Sequence, residues 1–78
     1  MAHDSQTLVI GGGSWGTALA NLLAGKGVPT TIWAREPEVV RGIAAERENA
    51  VFLPGVRLHE SLHAADDLLG ALGAAHVV

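Results

Sequence analysis

The stretch Leu8-Val9-Ile10-Gly11-Gly12-Gly13-Ser14-Trp15-Gly16-Thr17 narrows the fold more than any other in the chain. Leu8, Val9 and Ile10 are apolar and partly β-branched, as suits a buried strand. Gly11, Gly13 and Gly16 follow in G-x-G-x-x-G spacing. Where such a turn meets a dinucleotide, each glycine has its own task. Gly11 lets the chain leave the strand tightly, Gly13 lets a pyrophosphate approach the backbone, and Gly16 lets the new helix pack close to the strand. The N–H groups around Ser14 and Trp15 would face the phosphates with the positive end of the helix dipole. The spacing alone is a weak signal, because 10 of the 78 residues are glycine. Its weight comes from what surrounds it.

The surroundings have the required order. Trp15, Ala18, Leu19, Leu22 and Leu23 form one apolar stripe at helical spacing. Gly25-Lys26-Gly27 supplies a stop, and Thr30-Thr31-Ile32-Trp33 a second β-rich run. Strands are expected at about 7–11 and 30–34, with a helix at about 14–25 between them. Pro37 suits the first turn of a second helix, which has Val39, Val40, Ile43 and Ala44 as its inner face and ends near Asn49. Phe52-Leu53-Pro54-Gly55 reads as a loop. A short strand is expected near 62–65, then a short helix capped by Asp66 or Asp67 and running to about Leu72. Ala75-His76-Val77-Val78 reads as the start of a fourth strand. The class is therefore α/β, the first half of a doubly wound parallel-sheet (Rossmann) domain with right-handed crossovers. Residues 1–78 are read as the N-terminal part of that dinucleotide-binding domain, with 1–6 a loose tail and no substrate domain.

Composition excludes other classes. The chain is 49% hydrophobic and 17% charged, a globular rather than disordered balance. A formal charge of −3 with no basic cluster argues against a nucleic-acid surface. There is no cysteine for a disulfide or thiolate site. No apolar run approaches the ~20 residues of a membrane span, and Met1 to Gln6 lack the layout of a signal peptide, so the cytoplasm is the default location. At this length a domain buries only about 60% of its unfolded surface and is marginal alone.

The order of several blocks is more specific than the glycines. Gly11-x-Gly-Ser-Trp-Gly-Thr-Ala-Leu-Ala20 is followed by Ile32-Trp33-Ala34-Arg35, Asn49-x-x-Phe52-Leu53-Pro54-Gly55, Asp67-Leu68 and Val77-Val78. In these the chain resembles the N-terminal part of NAD(P)-dependent glycerol-3-phosphate dehydrogenases, from about Val9 to Val78. Gly12, Ala65 and His76 depart from the usual Ala, Thr and Asp of that pattern. The resemblance implies an oxidoreductase that interconverts sn-glycerol 3-phosphate and dihydroxyacetone phosphate with NADP or NAD. It also implies that the catalytic lysines lie elsewhere: Lys26, the only lysine, matches none of them, so this stretch is expected to be inactive alone and holds no catalytic residue.

The cofactor contacts expected are Gly11, Gly13, Ser14, Trp15, Gly16, Arg35, Glu36 and Phe52. Ser14 would use its hydroxyl and N–H, or merely cap the helix; Trp15 would touch cofactor or fill core. A carboxylate ending the second strand would bind the ribose 2′-OH and select NAD. The strand instead runs into Ala34 and Arg35, a bidentate donor suited to a 2′-phosphate or to stacking on adenine, which favours NADP. Glu36 could still serve the ribose, or act as a first-turn helix charge. Phe52 lies in a loop that resembles the family's cofactor-side segment, or makes a hydrophobic contact within that loop, while Asn49 and Pro54 read as structural. His59-Glu60-Ser61-Leu62-His63 fits the H-E-x-x-H zinc signature, but that needs a sustained helix and a third ligand, and Pro54-Gly55 lies just upstream. No metal is expected, and His3, His59, His63 and His76 read as surface or edge residues. Two other functions stay open: a non-enzymatic or regulatory dinucleotide-binding module, and the nucleotide-binding part of a hydroxy-acid dehydrogenase. The Asn49-x-x-Phe52-Leu53-Pro54-Gly55 block favours the glycerol phosphate enzyme over the latter. A homo-oligomer is a further expectation, since a half-domain leaves a sheet edge unpaired.

Overall fold

In the computed structural model, which describes residues 6–73 and 76–78, four parallel strands lie in the order β3-β2-β1-β4. They are β1 (Thr7–Ile10), β2 (Thr30–Trp33), β3 (His63–Ala65) and β4 (His76–Val77). Helices α1 (Ser14–Gly25), α2 (Pro37–Glu46) and α3 (Leu68–Ala71) carry the chain between successive strands. β1 pairs with β2 from Thr7↔Thr30 to Ile10↔Trp33, and on its other edge with β4 at Thr7↔His76 and Leu8↔Val77. The chain thus builds outward through β2 and β3, then returns to the far side of β1. That reversal is the topological switch point, where open α/β sheets bind ligands beyond the carboxyl ends of the strands. The alternating α/β order and parallel sheet expected from the sequence are present. Residues 1–5 of the expected tail, His3 among them, and Ala75 lie outside the described residues.

The core explains the order. Val9 and Ile32 from the central strands, Ala20 and Ala24 from α1, and Val39 and Ile43 from α2 form one buried cluster. Leu58 and Leu62, from the long connection before β3, complete it. Leu8, next to Val9 and so on the other face of β1, is also fully buried, as a strand covered on both sides requires.

Four details differ from the sequence reading. The apolar stripe of α1 is not the face it buries: Trp15 and Leu22 are exposed, and Thr17, Ala20 and Ala24 go inside. The helix lies so close to the sheet that small side chains fit beneath it and large ones do not. On α2, Val39 and Ile43 are buried, Val40 is half-buried, and Ala44 is exposed. That helix ends at Glu46 rather than near Asn49, because Arg47 takes a left-handed φ of 56° and the N–H groups of Arg47 and Glu48 close onto Ile43 and Gly42. Asp67 does precede α3, but its side chain makes no cap bond; the backbone carbonyl alone accepts, from Ala71 N–H at 3.0 Å.

Candidate cofactor-binding site

The glycine turn leaves β1 at its carboxyl end. Gly11 sits at φ +116°, a conformation that L side chains rarely adopt, and its N–H donates to the Trp33 carbonyl at 2.8 Å. A Cβ on Gly13 would meet nothing within 4 Å, while one on Gly16 would lie 2.5 Å from the carbonyl oxygen of Gly11. One position leaves room for a ligand; the other lets helix and turn touch. Gly12 is tight as well: a Cβ there would fall 2.8 Å from that of Ala34.

Helix α1 starts at Ser14, with Gly13 as an N-cap that offers no side-chain bond. Its first N–H groups have no carbonyl one turn back to bond, and no acidic residue sits in the first turn to offset their charge. The Ser14 hydroxyl donates to the carbonyl of Phe52, which ties the helix start to the loop 49–55. What Ser14 keeps for an anion is its backbone N–H. Trp15, 73% exposed, does not fill core.

Gly11, Gly12 and Gly13 share an open cleft of about 400 Å³ with Trp33, Arg35, Glu36 and Phe52. The structure thus brings five of the eight expected contacts to one cleft. Ser14 stands at its edge through its bond to Phe52, Gly16 lies behind the turn, and Trp15 is on the outer surface of α1. Arg35 is 85% exposed, and its guanidinium lies 4.0 Å from the Glu36 carboxylate. Glu36 also serves as N-cap of α2, where its carbonyl accepts from Val39 and Val40 N–H at 3.1 and 3.3 Å. Larger hollows occur beside α3, lined by Thr31, Asp67 and Gly70, and beside Pro29, His59 and His63. Neither touches the glycine turn.

Three residues shape this region: Asn49, read from the sequence as structural, and Thr17 and Arg47, to which the sequence reading gave no role. Asn49 is fully buried and donates from Nδ2 to the Gly12 carbonyl and to Thr17 Oγ1, both at 2.8 Å. Thr17 in turn donates to the Gly12 carbonyl at 3.3 Å. Arg47 donates from its guanidinium to the carbonyls of Ile43, His59 and Leu62, so one side chain ties α2 to the connection before β3. The N-x-x-F-L-P-G block contains Asn49 and the G-x-G-S-W-G-T-A-L-A block contains Thr17, but no block contains Arg47.

The H-E-x-x-H residues are not on a helix. His59 to Ser61 form a turn in which His59 Nδ1 lies 2.8 Å from Ser61 Oγ, and His63 opens β3. Among the described residues no group of three His, Asp or Glu side chains is placed to share a metal ion, and no helix is long and apolar enough to cross a membrane.

The family model described as the N-terminus of NAD-dependent glycerol-3-phosphate dehydrogenase matches residues 6–78. The glycerol-3-phosphate dehydrogenase (NAD(P)+) of Trichlorobacter lovleyi is 54% identical over 70 residues, 90% of this chain and 21% of that protein. That of Pseudomonas putida is 44% identical over all 78 residues, 23% of its length. The crystal structure of a glycerol-3-phosphate dehydrogenase from Coxiella burnetii superposes with a TM-score of 0.86 at 37% identity, over 96% of this chain and 23% of that one. The chain spans about a fifth of the length of the curated relatives it matches.

Proposed function

The chain belongs to the NAD-dependent glycerol-3-phosphate dehydrogenase family, and from that premise we propose that it is the cofactor-holding part of a cytoplasmic oxidoreductase. That enzyme interconverts sn-glycerol 3-phosphate and dihydroxyacetone phosphate with NADP or NAD. One observation carries the reading: an open glycine turn at the switch point of the sheet, in one cleft with Arg35 and Glu36.

The residues divide the cofactor between them. The empty space at Gly13 admits the pyrophosphate, and the N–H groups of Gly13, Ser14 and Trp15 receive its oxygens. Gly11 and Gly16 set the turn and the seat of the helix. Arg35 takes the adenosine 2′-phosphate where one is present, and Glu36 the ribose hydroxyls where it is not. Phe52 closes the cleft from the loop side. When bound, the nicotinamide ring supplies or accepts the hydride.

Titration of the purified protein with NADPH and NADH, followed by nicotinamide fluorescence, tests this. Saturable binding displaced by ADP-ribose is expected, without turnover of dihydroxyacetone phosphate by this chain alone. Absence of binding to either dinucleotide would remove the reading. Turnover would place the catalytic groups within these residues.

A further inference from the structure

The buried Asn49 connects both walls of the cleft, and its orientation is fixed by chemistry. The Gly12 carbonyl only accepts and the Phe52 N–H only donates, so Nδ2 must face the former and Oδ1 the latter. The distances agree: 2.8 Å from Nδ2 to the Gly12 oxygen, 3.2 Å from the Phe52 nitrogen to Oδ1. The second Nδ2 proton goes to Thr17 Oγ1. The Asn49 carbonyl also accepts from Leu53 N–H at 2.8 Å.

A trans peptide is planar, with N–H and C=O pointing to opposite sides. The Gly12 carbonyl is held inward by Asn49 and Thr17. The N–H of the same peptide, on Gly13, is thereby turned to the outer side of the turn, where a Cβ on Gly13 would meet nothing. The same amide fixes Phe52, whose carbonyl holds the Ser14 hydroxyl. We infer that Asn49 is a positioning residue for the phosphate-binding turn: it aims the Gly13 N–H outward and locks the Phe52 loop to the start of α1. The inference rests on the dinucleotide reading of the cleft. It confines the effect of Asn49 to the pyrophosphate end, because Arg35 and Glu36 make no bond to it among the described residues.

The test compares ligands with and without a pyrophosphate. Asn49→Asp keeps the shape but removes both donors, setting an acceptor against the Gly12 carbonyl. Dissociation constants are measured by calorimetry for NADPH, ADP-ribose and adenosine 2′-phosphate, well below the melting temperature. Asn49→Asp is expected to weaken the first two by roughly tenfold or more, because the Gly12 carbonyl loses its amide donor and faces an oxygen instead, and the third by less than about threefold. Thr17→Val is expected to act in the same direction, and Thr17→Ser, which keeps the hydroxyl, to bind as the wild type does. Ile43→Val, a core change away from the cleft, should leave the ratio between ligands unaltered. In the ligand-free protein the Gly13 amide resonance should move in Asn49→Asp and Thr17→Val but not in Ile43→Val. Should Asn49→Asp fail to fold, Thr17→Val decides. If the wild type binds dinucleotides and the ligand ratio is the same in all variants, Asn49 is only structural and the inference falls while the cofactor site stands. If the wild type binds none of the pyrophosphate ligands, both fall.

Discussion

Gly13 and Gly16, three residues apart, make opposite demands, and substitutions at each should separate them. At Gly16 a methyl group would sit 2.5 Å from backbone, so Gly16→Ala must move α1 off the turn. About 1–3 kcal/mol of destabilisation is expected, the usual cost of forced overpacking. At Gly13 the backbone is extended, at φ −71° and ψ 178°, and the space is empty. Gly13→Ala should cost only about 0.5 kcal/mol, the small N-cap preference for glycine, yet weaken NADPH by filling the room a phosphate needs. Urea denaturation and NADPH titration of the two variants check the contrast; equal stability losses would contradict it. Arg35 sits at the other end of the cleft. A charge-assisted bond to a 2′-phosphate contributes roughly 1.5–3 kcal/mol, or about ten- to hundredfold in affinity. Arg35 is largely solvated and has Glu36 within 4.0 Å, so the lower end of that range applies. Arg35→Ala should therefore weaken NADPH more than NADH, with the difference shrinking at high salt. Equal weakening of both would mean that Arg35 stacks on adenine or holds the loop. The conformation of the glycine turn and the place of Arg35 beside it were readable from the sequence, because the first expresses a local backbone requirement and the second follows from the order of strand and turn. Asn49 was readable only as structural, because its partners lie 37 and 32 residues away.

Strands and helices were legible wherever local propensity and tertiary packing agree. Thr30–Trp33 and Pro37 are such places, since β-branched residues and an N1 proline state their preference without help from the fold. Helix α1 shows where they part. Periodicity identified the helix and its large apolar stripe, but the buried face is decided by how closely the helix approaches the sheet, which Gly16 permits and no hydrophobicity pattern encodes. The end of α2 is a second case. Arg47 stops the helix in a left-handed conformation, a place glycine usually takes, and retains its side chain to bond the carbonyls of Ile43, His59 and Leu62. Arg47→Ala should lower stability by about 1–3 kcal/mol through the carbonyls it abandons. Arg47→Gly loses the same bonds but relieves a backbone penalty of roughly 1–2 kcal/mol, so it should be the milder change. Denaturant midpoints compare the pair, and a glycine variant no more stable than the alanine one would show that the left-handed turn carries little strain.

At the scale of these 78 residues taken by themselves, the sheet edge they leave unpaired decides how the isolated chain behaves. β4 bonds β1 on its inner edge, where Val78 N–H donates to the Leu8 carbonyl and Ile10 N–H to the Val78 carbonyl, both at 2.8 Å. Successive N–H groups of a strand point to opposite edges, so the Val77 N–H faces outward. Among the described residues no strand pairs with that outer edge, and Val77 and Val78 on β4 itself are exposed. An open apolar edge of this kind recruits another strand. Two copies related by a two-fold axis would join their β4 strands antiparallel, each presenting the same edge to the other. Sedimentation velocity should therefore show a weight-average coefficient that rises with protein concentration. Val77→Pro removes the outward donor, spares the bonds made by Val78, and places proline where edge strands tolerate it. That variant should sediment as a monomer across the same range. A wild type whose coefficient does not change with concentration would refute the association outright. A proline variant that still associates would move the contact from the sheet edge to the exposed Trp15 and Leu22 of α1.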